Sequence, residues 1–176
     1  MPDQLDDHQW VELLRDRDTF RVAIRGFAAI EADVDTFIEE AFESPVPGGI
    51  RGLGGFERRL LIAVALGIVP TTFVNPIKAL ARVRNDFAHR LIEEISDQRL
   101  GELRQAYALA MPESAESLRT LSPPDVLRFT LFATRLIVRG QAAALRPRRE
   151  EIKRHAEQEA FRQAILRRIE QIRGDD

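Results

Sequence analysis

At 176 residues the chain has the size of one domain and can bury a core without disulfide or metal staples. It contains no cysteine, which excludes a disulfide scaffold, thiolate zinc sites and thiol catalysis, and fits a reducing compartment. With 26 Lys and Arg against 28 Asp and Glu, the net charge of −2 excludes a whole-molecule field toward nucleic acid or membrane.

The decapeptide MPDQLDDHQW is acidic and lacks the basic start and apolar run of a signal peptide. The longest apolar stretch, Leu60–Pro70, is about half the length needed to cross a bilayer. A cytoplasmic protein without membrane partners is the expectation. The charge is unevenly placed: residues 1–45 hold 12 acids against 4 bases, and residues 146–173 hold 9 bases against 5 acids. Only two of the bases, Lys78 and Lys153, are lysines. An arginine excess of this kind can follow from genome composition, so by itself it does not point to phosphate recognition.

In chain order, Trp10–Arg15 is expected as a short helical lead-in. A first strong helix follows from about Phe20 to Phe42 after an Asp18-Thr19 start signal. Phe20, Phe27, Val34, Ile38 and Ala41 fall on one face at helical spacing, with Ile30 and Phe37 at its edge. Residues 45–55 contain five glycines and two prolines, a composition that ends the helix and makes a mobile loop. Phe56–Gly67 reads as a buried helix closed by glycine at C′. Asn75-Pro76 is expected to cap and open a helix running to about Leu91. Ser96 starts a further helix to about Met111-Pro112, and Ser122-Pro123 a long one to about Leu145, where Pro147 breaks or kinks the chain. A last helix over about Arg148–Arg173 carries Phe161, Ile165, Ile169 and Ile172 on a narrow stripe. No strand pair, hairpin signal or internal repeat is evident. The expected fold is all-α: a single-domain bundle of about five to seven helices over residues 1–176, with 148–176 a terminal helix that can extend from the bundle.

The heptapeptide Arg84-Asn85-Asp86-Phe87-Ala88-His89-Arg90 stands out. Helical spacing places Ile77, Leu80, Ala81, Arg84, Ala88 and Leu91 on one face, with Arg84 at its centre. Asn85 and His89, four residues apart, share a more polar face with Lys78 and Arg82. An arginine on an apolar stripe needs a carboxylate or a phosphate. Glu31 is the matching anomaly on the first helix, between Phe27, Val34 and Ile38. Two readings stay open: a structural Glu31–Arg84 ion pair, or an Arg84 available to a ligand.

The series GGIRGLGGFERRLLIAVALGIVP followed by ALARVRNDFAH resembles the mannitol operon repressor family, which shows a glycine-ended loop, an amphipathic helix closing in Leu-Gly, and then an RN-x-x-A-H helix. The similarity covers about Gly26 to Ser96. The RN-x-x-A-H element is also similar to that of the wider HEPN group of helical domains. The first resemblance implies an all-helical regulator of transcription without a DNA-reading helix, acting through a protein partner. The second implies a metal-independent ribonuclease of the toxin or defence kind, working as a homodimer on RNA. In that case His89 would act as general base or acid on a ribose 2′-hydroxyl, Arg84 would steady the phosphate, and Asn85 would orient the imidazole or bind phosphate. Against the catalytic reading, five residues of helix turn Arg84 about 140° away from His89.

Other chemistry is poorly provided for. His8, His89 and His155 are the only histidines and form no ligand-spaced pair, so no metal and no cofactor is expected. The glycine-rich loop lacks the Lys and hydroxyl residue of a P-loop and follows a helix instead of a strand. Arg146–Arg154 is interrupted by Glu150 and Glu151 and reads as a solvated helix face. The leading expectation is a regulatory or interaction protein that self-associates, and the alternative is the ribonuclease.

Overall fold

The computed structural model describes residues 5–42, 49–90 and 94–174, with side chains described for all of these except 51, 90 and 164–174. Among the described residues there are seven α-helices, three short 3-10 turns and no strand, so the fold is all-α.

Helix α1 (Asp7–Arg15) starts ahead of Trp10 because Asp6 and Gln9 form a reciprocal capping box that satisfies two otherwise orphaned N–H groups. It buries Trp10 and Leu13. Helix α2 (Thr19–Ala41) is capped by the Asp18 carboxylate, which accepts from the Arg21 N–H. Its buried side is broader than a single stripe, taking in Val22, Phe27, Ile30, Val34 and Ile38, because α1, the next two helices and the last helix all pack on it. Phe20, expected on that face, is exposed and meets Phe87 edge-on, their centroids 6.1 Å apart.

The expected mobile loop at 45–55 lies partly outside the described residues. Its described end forms a 3-10 turn, Ile50–Leu53, between Gly49 and Gly54, both at positive φ. Helix α3 (Phe56–Ala65) ends in a Schellman motif. Ile68 N–H bonds the Ala63 carbonyl and Gly67 N–H the Val64 carbonyl, with Gly67 in the left-handed region at φ 74°.

Helix α4 (Val74–Arg90) continues from a 3-10 turn at Thr71–Phe73. Asn75 therefore lies inside the helix and does not cap it. Pro76 falls in the first turn, where its missing N–H leaves no bond unmade. The expected end at Leu91 lies outside the described residues. Helix α5 (Asp97–Ala110) is capped by Ser96. A third 3-10 turn, Pro112–Ser114, and a short helix α6 (Ala115–Thr120), not foreseen in the sequence, lead to α7 (Pro123–Gly174).

The chain divides into two compact units, Met1–Ala142 and Ala143–Asp176. The core of the first is built on Phe27, Ile30, Ile77, Phe87, Leu103 and Tyr107. Tyr107 donates its buried hydroxyl to the Thr130 carbonyl at 2.9 Å and also meets the Thr134 hydroxyl, while burial pushes its pKa well above the usual phenol range. Arg135 and Asp33 form a buried pair at 2.8 Å, with the guanidinium stacked on Trp10 at 4.6 Å. The second unit is helical through Gly174, and its side chains from 150 to 163 are exposed, including Ile152 and Phe161. Of the break or kink expected at Pro147, the break is absent: Pro147 sits within a continuous α7. Proline has no N–H for the carbonyl four residues earlier, which belongs to Ala143, and the division between the units falls at that residue. Ile165, Ile169 and Ile172 of the expected stripe lie outside the described residues.

Candidate functional site

Helices α2, α3 and α4 converge on four charged side chains. Glu31 and Asp35 lie one turn apart on α2, so both carboxylates face the same neighbours. Glu31 places one oxygen 3.1 Å from Nη2 of Arg84 and the other 3.4 Å from Nη2 of Arg59. Asp35 Oδ1 lies 2.7 Å from Arg59 Nε, and Arg59 Nη1 donates to the Gly54 carbonyl at 3.0 Å. Each guanidinium also covers an aromatic ring: Arg84 lies over Phe27 at 5.0 Å and Arg59 over Phe56 at 5.8 Å. Two acids and two arginines cancel in charge, and together they tie three helices and the end of the glycine-rich loop.

Arg84 is not at the centre of an apolar face. The buried side of α4 is formed by Ile77, Leu80, Val83 and Phe87, whereas Ala81 is half-buried and Ala88 exposed. The face is thus rotated away from Arg84, which sits at its rim with 28% of its side chain accessible. The rotation follows from Phe87, whose large ring dominates the packing and lies off the Ile77–Arg84–Ala88 line. Leu91, the other expected member of that line, lies outside the described residues.

Asn85 and His89 are both exposed, one turn apart, and neither side chain has a hydrogen bond or ion pair among the described residues. The structure brings Glu31 and Arg84 together, and it leaves His89 on a different side of α4 from Arg84. Between them, Asp86 is engaged by Arg99 at 2.7 Å, and Arg99 also holds Glu102 at 2.9 Å. These hydrogen bonds raise the Arg99 pKa, Asp86 contributing most, and Arg99 in turn lowers that of Glu102. Among the described residues no group of three or more His, Asp or Glu could hold a metal, and no helix is long and apolar enough to cross a membrane.

Beside the cluster, between the start of α3 and the outer face of α4, runs an open groove of about 660 Å³. Arg58, Lys78, Arg82 and Asn85 stand along it, with Phe56 and Leu61 as apolar wall and Arg84 among its lining. Sequence reasoning missed Arg59, Asp35 and this groove. The available signals were the helical spacing of Arg59 with Phe56, Ile62 and Ala63, and the doublet Arg58-Arg59 after the loop: adjacent residues on a helix point about 100° apart, so one turns to the cluster and the other to solvent.

The site belongs to an all-helical bundle with a charge-neutral knot of ion pairs beside an open cationic groove. No protein-family model matches the chain, and no curated protein or solved structure shows significant similarity to it.

Proposed function

We propose that this chain is a regulatory interaction protein of the mannitol operon repressor kind, acting through a protein partner and as a homodimer, without catalytic turnover or direct reading of DNA. The observation that carries this reading is the engagement of Arg84. Its guanidinium is held by Glu31 at 3.1 Å and stacked on Phe27, so the charge that a ribonuclease would aim at a phosphate is spent within the fold. His89, five residues on, points about 140° away along a regular helix. An exposed imidazole with no group to orient it is poorly positioned for proton transfer at a fixed substrate atom.

The decisive experiment incubates wild type and His89→Ala with single-stranded and transfer RNA in the presence of a chelator. The expected result is the same background for both proteins. Cleavage by wild type that leaves a 2′,3′-cyclic phosphate and disappears in His89→Ala would establish the HEPN-type ribonuclease instead. Tight, sequence-specific binding of operator DNA by the purified chain alone would contradict the partner-mediated part. Light scattering at tens of micromolar is expected to give twice the chain mass, and a monomer there removes the homodimer.

A further inference from the structure

We infer that the groove between α3 and α4 is a binding site for a small phosphorylated ligand with a flat apolar body, of which a nucleoside diphosphate is the simplest representative. Lys78, Arg82 and Asn85 follow one another on α4 at intervals of four and three residues. Such spacing aligns them along one edge of the helix over about 10 Å. Arg58 faces them from the first turn of α3. The side chains of Arg58 and Lys78 have no hydrogen-bond or ion-pair partner among the described residues, and Arg82 reaches Glu102 only at 3.5 Å. These three cations are therefore uncommitted or weakly committed, unlike Arg59, Arg84 and Arg135, which the fold consumes.

Three cations and an amide donor in one concavity match the donor-only chemistry that phosphate oxygens require. Exposed Leu61, together with the part of Phe56 that Arg59 and Phe27 leave open, gives a base or similar ring an apolar surface to cover. A volume of about 660 Å³ suits a small molecule. A polynucleotide is the poorer fit. A strand needs a basic track longer than one concavity, whereas here Glu57 interrupts the cations within the groove and Glu102 of α5 stands beside Arg82. The assignment is independent of whether the protein also acts through a partner.

The test titrates the full chain with ADP, inorganic pyrophosphate, adenosine and a single-stranded RNA oligonucleotide by calorimetry at low and physiological salt. ADP is expected to bind with Kd below about 1 mM, pyrophosphate more weakly, and adenosine undetectably, with affinity falling as salt rises. Arg58→Ala and Lys78→Ala should each weaken ADP by about tenfold. Both should keep the wild-type melting temperature, since neither side chain holds another. Arg119→Ala, a remote exposed arginine on α6 paired only with Glu116, should leave binding unchanged. The proposal is overturned by any of four results: no heat with either phosphate probe, adenosine binding as well as ADP, an equal loss in Arg119→Ala, or RNA binding more tightly than ADP and lost in the same variants. The last result would make the groove a strand-binding face.

Discussion

Arg84 and Arg135 each pair with a carboxylate on α2, yet their surroundings predict different costs of removal. Asp33 is almost wholly buried and faces Arg135, itself only 3% exposed, so Arg135→Ala strands a carboxylate in the core. We expect a loss of about 3–5 kcal/mol, read as a lower urea midpoint at unchanged slope. Glu31 keeps Arg59 and partial access to water when Arg84 is removed, so Arg84→Ala should cost only about 1–2 kcal/mol. His89→Ala should lie within about 0.5 kcal/mol of wild type, because nothing rests on its exposed side chain. Equal losses for the two arginine variants would show that the cluster is worth more than its exposure suggests. At this scale the sequence is informative only where a charge interrupts an apolar stripe. Glu31 and Arg84 meet that condition. Arg59 meets it too, lying between Phe56, Ile62 and Ala63 at helical spacing, although its charged sequence neighbours Glu57 and Arg58 mask the pattern; Asp35 does not, since Glu31 and Glu39 stand one turn to either side of it.

Among the elements, the helical periodicities of α2 to α5 and of the start of α7 were legible because apolar residues recur at helical spacing between recognisable caps. Three features were not. Asn75 has the chemistry of a cap but is overridden by the preceding 3-10 turn. The short α6 has too few residues to display a period. Pro147 lacks enough influence to end a helix already under way. Glycines give the sharpest test of these local assignments. Gly67 ends α3 at φ 74°, where a Cβ is strained, so Gly67→Ala should destabilise by about 1–2 kcal/mol. Gly101 lies inside α5 with open space around its missing Cβ, so Gly101→Ala should stabilise by about 0.5–1 kcal/mol. Thermal melts showing shifts of the same sign for both would contradict the helix end at Gly67. The α4–α5 seam adds a pH dependence. Hydrogen bonds from Arg99, then Gln98, hold the Glu102 pKa below its usual value. A carboxylate depressed in the folded state contributes stability above its unfolded pKa of about 4.3 and loses it as pH falls through the lower folded value. The melting temperature should therefore decline on acidification below about pH 4, and Glu102→Gln should flatten part of that slope. An unchanged slope would remove Glu102 from the account.

For the whole molecule, the absence of any alternating pattern was enough for the all-α class, because the apolar residues either recur at helical spacing or, at Leu60–Leu66, form a continuous alanine-containing run. The division of the chain was less legible, since α7 is one uninterrupted helix in backbone terms. Heat capacity separates its two stretches. Unfolding raises heat capacity where apolar surface newly enters water. The stretch 123–142 withdraws Val126, Leu127, Leu131 and Val138 from the core, whereas Ile152 and Phe161 already face solvent. Calorimetry should thus record one cooperative transition whose heat-capacity step belongs to the first unit. Far-ultraviolet ellipticity should add a broad, shallow decline from the second, whose side chains from 150 to 163 face solvent and so do not sharpen its melting. A mismatch between the two signals is the expected outcome. Coincident, equally sharp melts would instead show that the second unit finds apolar cover, and dilution would then shift its midpoint if a second copy of the chain supplies that cover.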